Sequence, residues 1–396
     1  MRRYDYMIVG AGMTADAAVR GVREADSDGT IGVLGEETHP PYDRPPLSKA
    51  LWKGKPETVV WRGTEETGAA LHLGRSIRSI DLDAKSVIDD QGAEYGYGKL
   101  LIATGGAPRR LRASGERIIY YRTLDDYHRL RDFAEEPLRF AVVGAGFIGM
   151  EIAAALRMKG REVVMFADED GLGSRLFPGD LSQFLIGYYR EQGVDVRTAG
   201  HVEVEDRGDT VAVLLRDGSE FEADVAVVGI GIRPNVGLAR AAGLAVGDGI
   251  EVDELLRTSR PDVYAAGDVA SFHQPALGER VRVEHEDNAN TMGRAAGLAM
   301  AGQGAPYDHL PFFYSDLFDL GFEAVGAVDA RYETHAEWKD PFREGVVYYL
   351  EGGRVRGVLL WNTWDQVDHA RELIQEPKPV TPADLEGRLP VAEASS

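Results

Sequence analysis

Gly10, Gly12 and Ala15 in one stretch, and Gly144, Gly146 and Gly149 in another, have the spacing that lets a backbone approach a phosphate closely. The first set reads Gly10-Ala11-Gly12-Met13-Thr14-Ala15 after the apolar run Tyr6 to Val9. The second reads Gly144-Ala145-Gly146-Phe147-Ile148-Gly149 after Phe140 to Val143. Each opens a stretch of helical character, Ala15 to Ala25 and Met150 to Met158. Glycine permits the tight turn, and the helix N-terminus offers N–H groups to a pyrophosphate. Two such turns, each between a strand and a helix, point to two dinucleotides on one chain. Acids closing the next strand strengthen both: Glu36 and Glu37 after Thr30 to Leu34, and Asp168, Glu169 and Asp170 after Glu162 to Phe166. A carboxylate there accepts hydrogen bonds from an adenosine ribose and repels a 2′-phosphate, which favours NADH over NADPH unless Arg161 or Arg175 intervenes.

The chain has no cysteine. That excludes a disulfide scaffold, a thiolate-bound metal or iron–sulfur cluster, and a peroxidase or oxidase working through a sulfenic acid. The nine histidines show no metal-ligand spacing, so no metal is expected and redox chemistry falls to a bound organic cofactor. With 44 Lys+Arg against 65 Asp+Glu the net charge is −21, which argues against nucleic acid and anionic membrane surfaces as partners. The segment Arg109 to Arg139, with eight arginines against six acids, is a candidate basic face or an ordinary mixed-charge surface. The acidity also fits a salt-rich cytoplasm. No apolar run approaches the roughly 20 residues that cross a bilayer, and the N-terminal residues lack signal-peptide architecture; a cytoplasmic location is expected.

At 396 residues with 44% hydrophobic content, two to three soluble domains are expected, in an α/β fold. Residues 1–110 read as β-α-β followed by strands at Ile77 to Asp81, Ser86 to Ile88 and Lys99 to Ala103, the last running into Thr104-Gly105-Gly106. Residues 111–237 repeat the plan, with strands Val211 to Leu215 and Val225 to Val228 ending in Gly229-Ile230-Gly231. Residues 238–305 carry a further strand ending in Ala266-Gly267-Asp268 and a small-residue-rich helix, Ala289 to Ala301, suited to close packing. The texture changes after Gly304: Val346 to Leu350 and Arg354 to Leu360 flank Glu351-Gly352-Gly353, a hairpin signal within an α+β domain over 306–376. Residues 377–396 read as a poorly packed tail.

These residues, together with Pro41-Tyr42-Asp43-Arg44-Pro45-Pro46-Leu47-Ser48-Lys49, Phe313-Tyr314-Ser315-Asp316 and Leu360-Trp361-Asn362, are the ones through which the chain resembles a known family. It resembles the FAD-dependent pyridine-nucleotide reductases of the ferredoxin-reductase and apoptosis-inducing-factor type over nearly its whole length. The resemblance implies two Rossmann-like domains, 1–110 with 238–305 for FAD and 111–237 for NAD, plus the C-terminal α+β domain. It implies that Arg44 and Lys49 hold the flavin, that Lys49 pairs with Glu151, and that Ile77, Arg122, Asp268, Glu284, His285 and Tyr314 line the FAD site beside Gly10, Gly12, Ala15 and Glu36. On the nicotinamide side it implies Phe147, Ile148, Glu169, Arg175, Gly231, Glu323 and Asn362, again with Glu284, His285 and Tyr314. Tyr314 stands where the family often has tryptophan, a change that keeps a stacking ring at that place. The implied activity is electron transfer from NADH through one FAD per chain to ferredoxin, rubredoxin or a quinone-like acceptor. The implied alternative is an apoptosis-inducing-factor-like redox sensor that dimerises on reduction, in which case a homodimer is expected.

Overall fold

The computed structural model describes residues 1–167, 171–200 and 202–389. Its contacts divide into two compact units, Met1–Arg44 with Pro56–Ala107 and Arg233–Pro311, and Pro45–Lys55 with Pro108–Ile232 and the chain from Phe312 onward.

In the first unit the strand Arg2–Val9 lies at the centre of a sheet, parallel to Ile31–Leu34 on one side and Glu94–Ile102 on the other. Ala70–His72 extends it beyond Ile31–Leu34, Ser86–Asp89 and Ile77–Asp81 follow Glu94–Ile102 as an antiparallel edge, and Val263–Ala265 also pairs with Glu94–Ile102. The residues Met7, Ile8, Val33, Leu100 and Leu101 are wholly buried on both faces, as strands covered by helices on each side require. The helices Met13–Ala25 and Glu286–Met300 pack backbone to backbone: a Cβ on Gly21 would meet Arg294 O at 2.2 Å, and one on Gly297 would meet Ala18 O at 2.1 Å. The small-residue helix read from the sequence therefore forms and packs closely, beginning three residues earlier than expected.

The second unit repeats the architecture. Its parallel sheet runs Asp195–Thr198, Glu162–Ala167, Arg139–Val143, Val225–Val228, Ile118–Tyr120. An antiparallel three-stranded sheet, Glu203–Asp206, Val211–Leu214 and Glu220–Ala223, follows. A five-stranded antiparallel sheet, ordered Phe312–Leu317, Leu320–Gly326, Arg354–Trp361, Glu344–Glu351, Glu333–Asp340, completes the unit with Val367–Gln375 packed on it. Hydrophobic alternation made the hairpin at Gly352-Gly353 legible, and it is present.

Among the described residues, the helices Leu124–Phe133, Gly179–Glu191 and Val367–Gln375, and the short Gly237–Ala241 and Pro382–Leu385, escaped the sequence reading. The first lies inside the arginine-rich segment and buries Leu124, Tyr127 and Leu130. Its start was readable, because Thr123 and Asp126 form a reciprocal capping box, with Asp in place of the usual Glu or Gln. One expectation needs correction. Residues 45–55, placed in the first domain, pack with the second unit. Residues 377–389 are mostly exposed but are tied down at a few points: Val380 N donates to Gly353 O at 2.7 Å, Thr381 caps the helix Pro382–Leu385, and Leu385 and Leu389 are buried. Two leucines in a polar stretch sufficed to anchor it, Leu385 O accepting from Tyr348 Oη at 3.5 Å.

Candidate active site

Both glycine turns fall at the point where the strand order of a parallel sheet reverses, the place where such sheets bind nucleotides. Gly10 has φ +116°, and a Cβ there would lie 2.0 Å from Ala103 O; Gly144 has φ +106° and the same conflict with Gly229 O at 2.4 Å. By contrast, space is open around Gly12 and Gly146, each an extended N-cap whose helix receives no side-chain cap. Space without a Cβ and helix N–H groups without a capping oxygen fit a dinucleotide pyrophosphate at both turns.

Around the first turn, Glu36 is exposed while Glu37 accepts from Arg44 at 2.5 Å and from Tyr42 at 2.6 Å. Ile77 begins an edge strand. Arg282 donates to Asp268 O at 3.2 Å and to the Glu284 carboxylate at 2.5 Å. His285 is the N-cap of the helix Glu286–Met300, and burial pulls its imidazole down to about 4 against the opposing pull of Asp268 and Asp287. It is neutral at physiological pH.

In the second unit, a chemically distinctive cluster forms around the loop from Pro45. Pro45–Leu47 is a single 3₁₀ turn, and Leu47 O accepts from Trp52 Nε1 at 2.8 Å and from Tyr121 Oη at 2.5 Å. Burial raises the Tyr121 hydroxyl well above its ordinary range, which keeps it a donor. The loop so pinned presents Lys49, whose Nζ lies 2.7 Å from Glu151 Oε1; Glu151 sits in the helix Phe147–Met158 and is 3% exposed. The Lys49 ammonium also stands 5.1 Å from the Tyr314 ring centroid, so the tyrosine meets the cation with its face. Lys53 pairs with Asp316 at 2.7 Å, and Pro45, Pro46, Lys49, Ala50, Lys53, Tyr314 and Asp316 line an open cavity of about 200 Å³.

The nicotinamide-side candidates lie in the same unit. Phe147 packs on Phe313 and Phe322 at ring separations of 4.9 and 5.8 Å, while Ile148 is exposed. Tyr314 and Glu323 face each other across the pair of strands, and burial, with Asp365 nearby, raises the Glu323 carboxyl. Gly231 has φ +93° and its carbonyl accepts from Arg109 N. Arg175 is exposed, its carbonyl held by Ala330 N. The Asn362 amide is engaged within the protein, accepting from Gly321 N at 2.7 Å and donating to Arg343 O at 2.9 Å. Arg122 N is held by Asp126. Glu169, with Asp168 and Asp170, lies outside the described residues. Arg161, one of the two arginines that could have admitted a 2′-phosphate, precedes the strand Glu162–Ala167 and binds Lys159 O and Glu136 O, at the end of the sheet away from the turn. Among the described residues no group of His, Asp and Glu is arranged to hold a metal, and no helix is long and apolar enough to cross a membrane.

Sequence reasoning missed Ser48 and Ser315, whose hydroxyls donate to the two Glu151 oxygens at 2.5 and 2.6 Å. Their only linear signal was adjacency to Lys49 and Tyr314.

Two nucleotide-binding sheets and an antiparallel C-terminal sheet define a flavoprotein reductase that takes reducing equivalents from a nicotinamide. The chain matches the pyridine nucleotide-disulphide oxidoreductase family over residues 4–293 and the C-terminal domain of mitochondrion-associated apoptosis-inducing factor over 333–376. It belongs to the first of these families, without the cysteines its name implies, and is an NADH-dependent reductase of the ferredoxin-reductase type with FAD and NAD as cofactors. It is 36% identical to the ferredoxin reductase subunit of 5,5'-dehydrodivanillate O-demethylase from Sphingobium sp., covering 90% of this chain and 89% of that protein. It is 34% identical to apoptosis-inducing factor 1 of Dictyostelium discoideum, over 94% of this chain and 79% of that one. A crystal structure of the covalent putidaredoxin reductase–putidaredoxin complex superposes with a TM-score of 0.90 at 31% identity, covering 100% of both chains.

Proposed function

We propose that this chain passes electrons from NADH to a small one-electron carrier protein of the ferredoxin class, in the cytoplasm, where NADH is available. The observation that carries the reading is the buried Lys49–Glu151 pair at the Tyr314 ring. When bound, FAD supplies hydride acceptance and single-electron release.

The residues divide the work. Gly12 leaves room for the FAD pyrophosphate at a helix N-terminus, in a turn shaped by Gly10 and Ala15, with Glu36 toward its ribose. By likeness to the family, Arg44, Ile77, Arg122, Asp268, Glu284 and His285 are the further residues assigned to FAD. Gly146 does the same for NADH in the turn that Gly144 and Gly149 shape, with Phe147, Ile148, Glu169, Arg175, Gly231, Glu323 and Asn362 around its other half. Lys49 presents a fixed positive charge to the flavin ring, Glu151 compensates that charge where water is excluded, and Tyr314 covers the ring. Residues 1–44 and 56–110 with 238–305, then 111–237, then 306–376 are the corresponding FAD, NAD and C-terminal domains, the loop 45–55 packing with the second unit. Exposed Arg109, Arg110, Arg112 and Arg129 offer positive charge to an acidic carrier on an otherwise acidic chain.

The test is anaerobic reduction of the FAD-loaded protein by NADH, followed by mixing with oxidised ferredoxins, a rubredoxin and a quinone. Rapid reoxidation by one carrier protein is expected; reoxidation by the quinone alone overturns the reading. The match to the apoptosis-inducing-factor C-terminal domain supports a second reading, in which reduction drives dimerisation. Sedimentation with and without NADH separates the two.

A further inference from the structure

We infer that Ser48 and Ser315 are positioning residues that lock the Glu151 carboxylate and thereby set where the Lys49 ammonium stands, an inference that rests on the flavin reading of Lys49. Glu151 Oε2 accepts from Ser48 Oγ at 2.5 Å, and Oε1 accepts from Ser315 Oγ at 2.6 Å and meets Lys49 Nζ at 2.7 Å. All three partners of the lysine side are buried: Glu151 is 3%, Ser48 5% and Ser315 0% exposed.

The arrangement comes from two pairs of adjacent residues. Ser48-Lys49 leave the 3₁₀ turn together, so the loop that delivers the cation also delivers a donor to the far oxygen of its partner. Tyr314-Ser315 alternate along the strand Phe312–Leu317, so that Tyr314 faces the ammonium while Ser315 turns inward to the carboxylate. Each end of the ion pair is therefore touched from the same two segments.

A lysine alone would leave the carboxylate free to turn, because the terminal torsion of a glutamate is broad and the lysine stem is flexible. Two short hydroxyls on opposite oxygens remove that freedom at little entropic cost. They are also uncharged. A second cation would divide the attraction of Glu151 between two partners, whereas hydroxyl donors leave its full charge facing Lys49. A hydroxyl that merely satisfied a buried acceptor would not need to share an oxygen with the lysine.

The test uses FAD-loaded Ser315→Ala, Ser48→Ala and Ser315→Thr, with the flavin reduced anaerobically over a range of NADH concentrations. Each alanine variant is expected to lower the limiting reduction rate about tenfold, the size of one hydrogen bond to a charged group. The apparent Kd for NADH should change less than about twofold, since the turn at Gly144 is untouched. The flavin absorption band should shift, and Ser315→Thr should restore both rate and spectrum. In a Lys49→Met background, Ser315→Ala should cost nothing further. The inference is overturned if the limiting rate is unchanged in both alanine variants, or if Ser315→Ala slows reduction equally with and without Lys49. Should Ser315→Ala not retain FAD, Ser48→Ala carries the same comparison; loss of FAD in both marks a purely structural role and overturns it too. Wild-type protein that NADH cannot reduce sinks the proposed function itself, whereas normal wild-type reduction with unaffected variants sinks only the positioning role.

Discussion

The two glycine turns use one device in two steric settings. In the first, the third position of the pattern is Ala15, wholly buried and accommodated. In the second it is Gly149, where a Cβ would fall 1.9 Å from Gly144 O. The first positions agree instead: Gly10 and Gly144 both combine positive φ with a carbonyl of the neighbouring strand's end where a Cβ would stand. What distinguishes the turns is how tightly the helix closes on its own loop, so the third glycine answers to local packing and the first to backbone geometry. The first half also contains a helix pair in backbone contact, led by neutral His285.

That comparison can be broken one turn at a time. Gly10→Ala carries both penalties and should cost about 3 kcal/mol or more, giving protein that purifies colourless; a yellow, stable variant would show the turn is softer than it looks. Gly149→Ala suffers the clash alone. It should keep FAD yet lose most NADH-dependent reduction, with stability lowered by about 2–3 kcal/mol in urea unfolding. Lys49→Met and Glu151→Gln, in the second unit, should show a coupling of about 1–3 kcal/mol in a double-mutant cycle on the reduction rate, because removing one charge strands the other. Additive effects no larger than those of Lys53→Met would remove the pair from the active site.

Acid sharpens the contrast from the other side. The unfolded chain protonates His285 near 6.5 and the folded chain only near about 4, so the unfolded state binds more protons between these values and stability falls as pH drops through them. Allowing for the partial exposure of the ring, wild type should lose about 1–2 kcal/mol more than His285→Asn between neutral pH and the lower end of that window. Equal losses in urea melts at the two pH values would remove His285 as the cause. The smallest effect is expected of Ala15→Gly: about 0.5–1 kcal/mol of helix stability, with FAD content unchanged.

Much of the nucleotide-binding architecture was legible because its signals are local. A strand, a glycine turn and a helix occupy about 20 consecutive residues, and the turn depends on φ angles that only glycine supplies cheaply. The helix Leu124–Phe133 was hidden by its arginines, since its apolar face holds few residues, and only the capping box of Thr123 and Asp126 marks its start. The anchoring of the exposed segment after 377 was hidden because its composition is polar and its buried residues are single leucines.

The chain's residues alone determined that two dinucleotide turns exist, that no thiol takes part in the chemistry, and that the molecule is strongly acidic. They also placed Lys49 and Glu151 side by side, though only through likeness to a family. Tertiary structure decided the rest of that cluster. Ser48 lies 103 residues from Glu151 and Ser315 lies 164 residues from it, and nothing in either neighbourhood encodes the meeting. Local steric rules act over a few residues and can be read in order along the chain. A buried carboxylate instead draws its donors from whichever segments the packed core brings within about 3 Å, and that choice is made only when the fold closes.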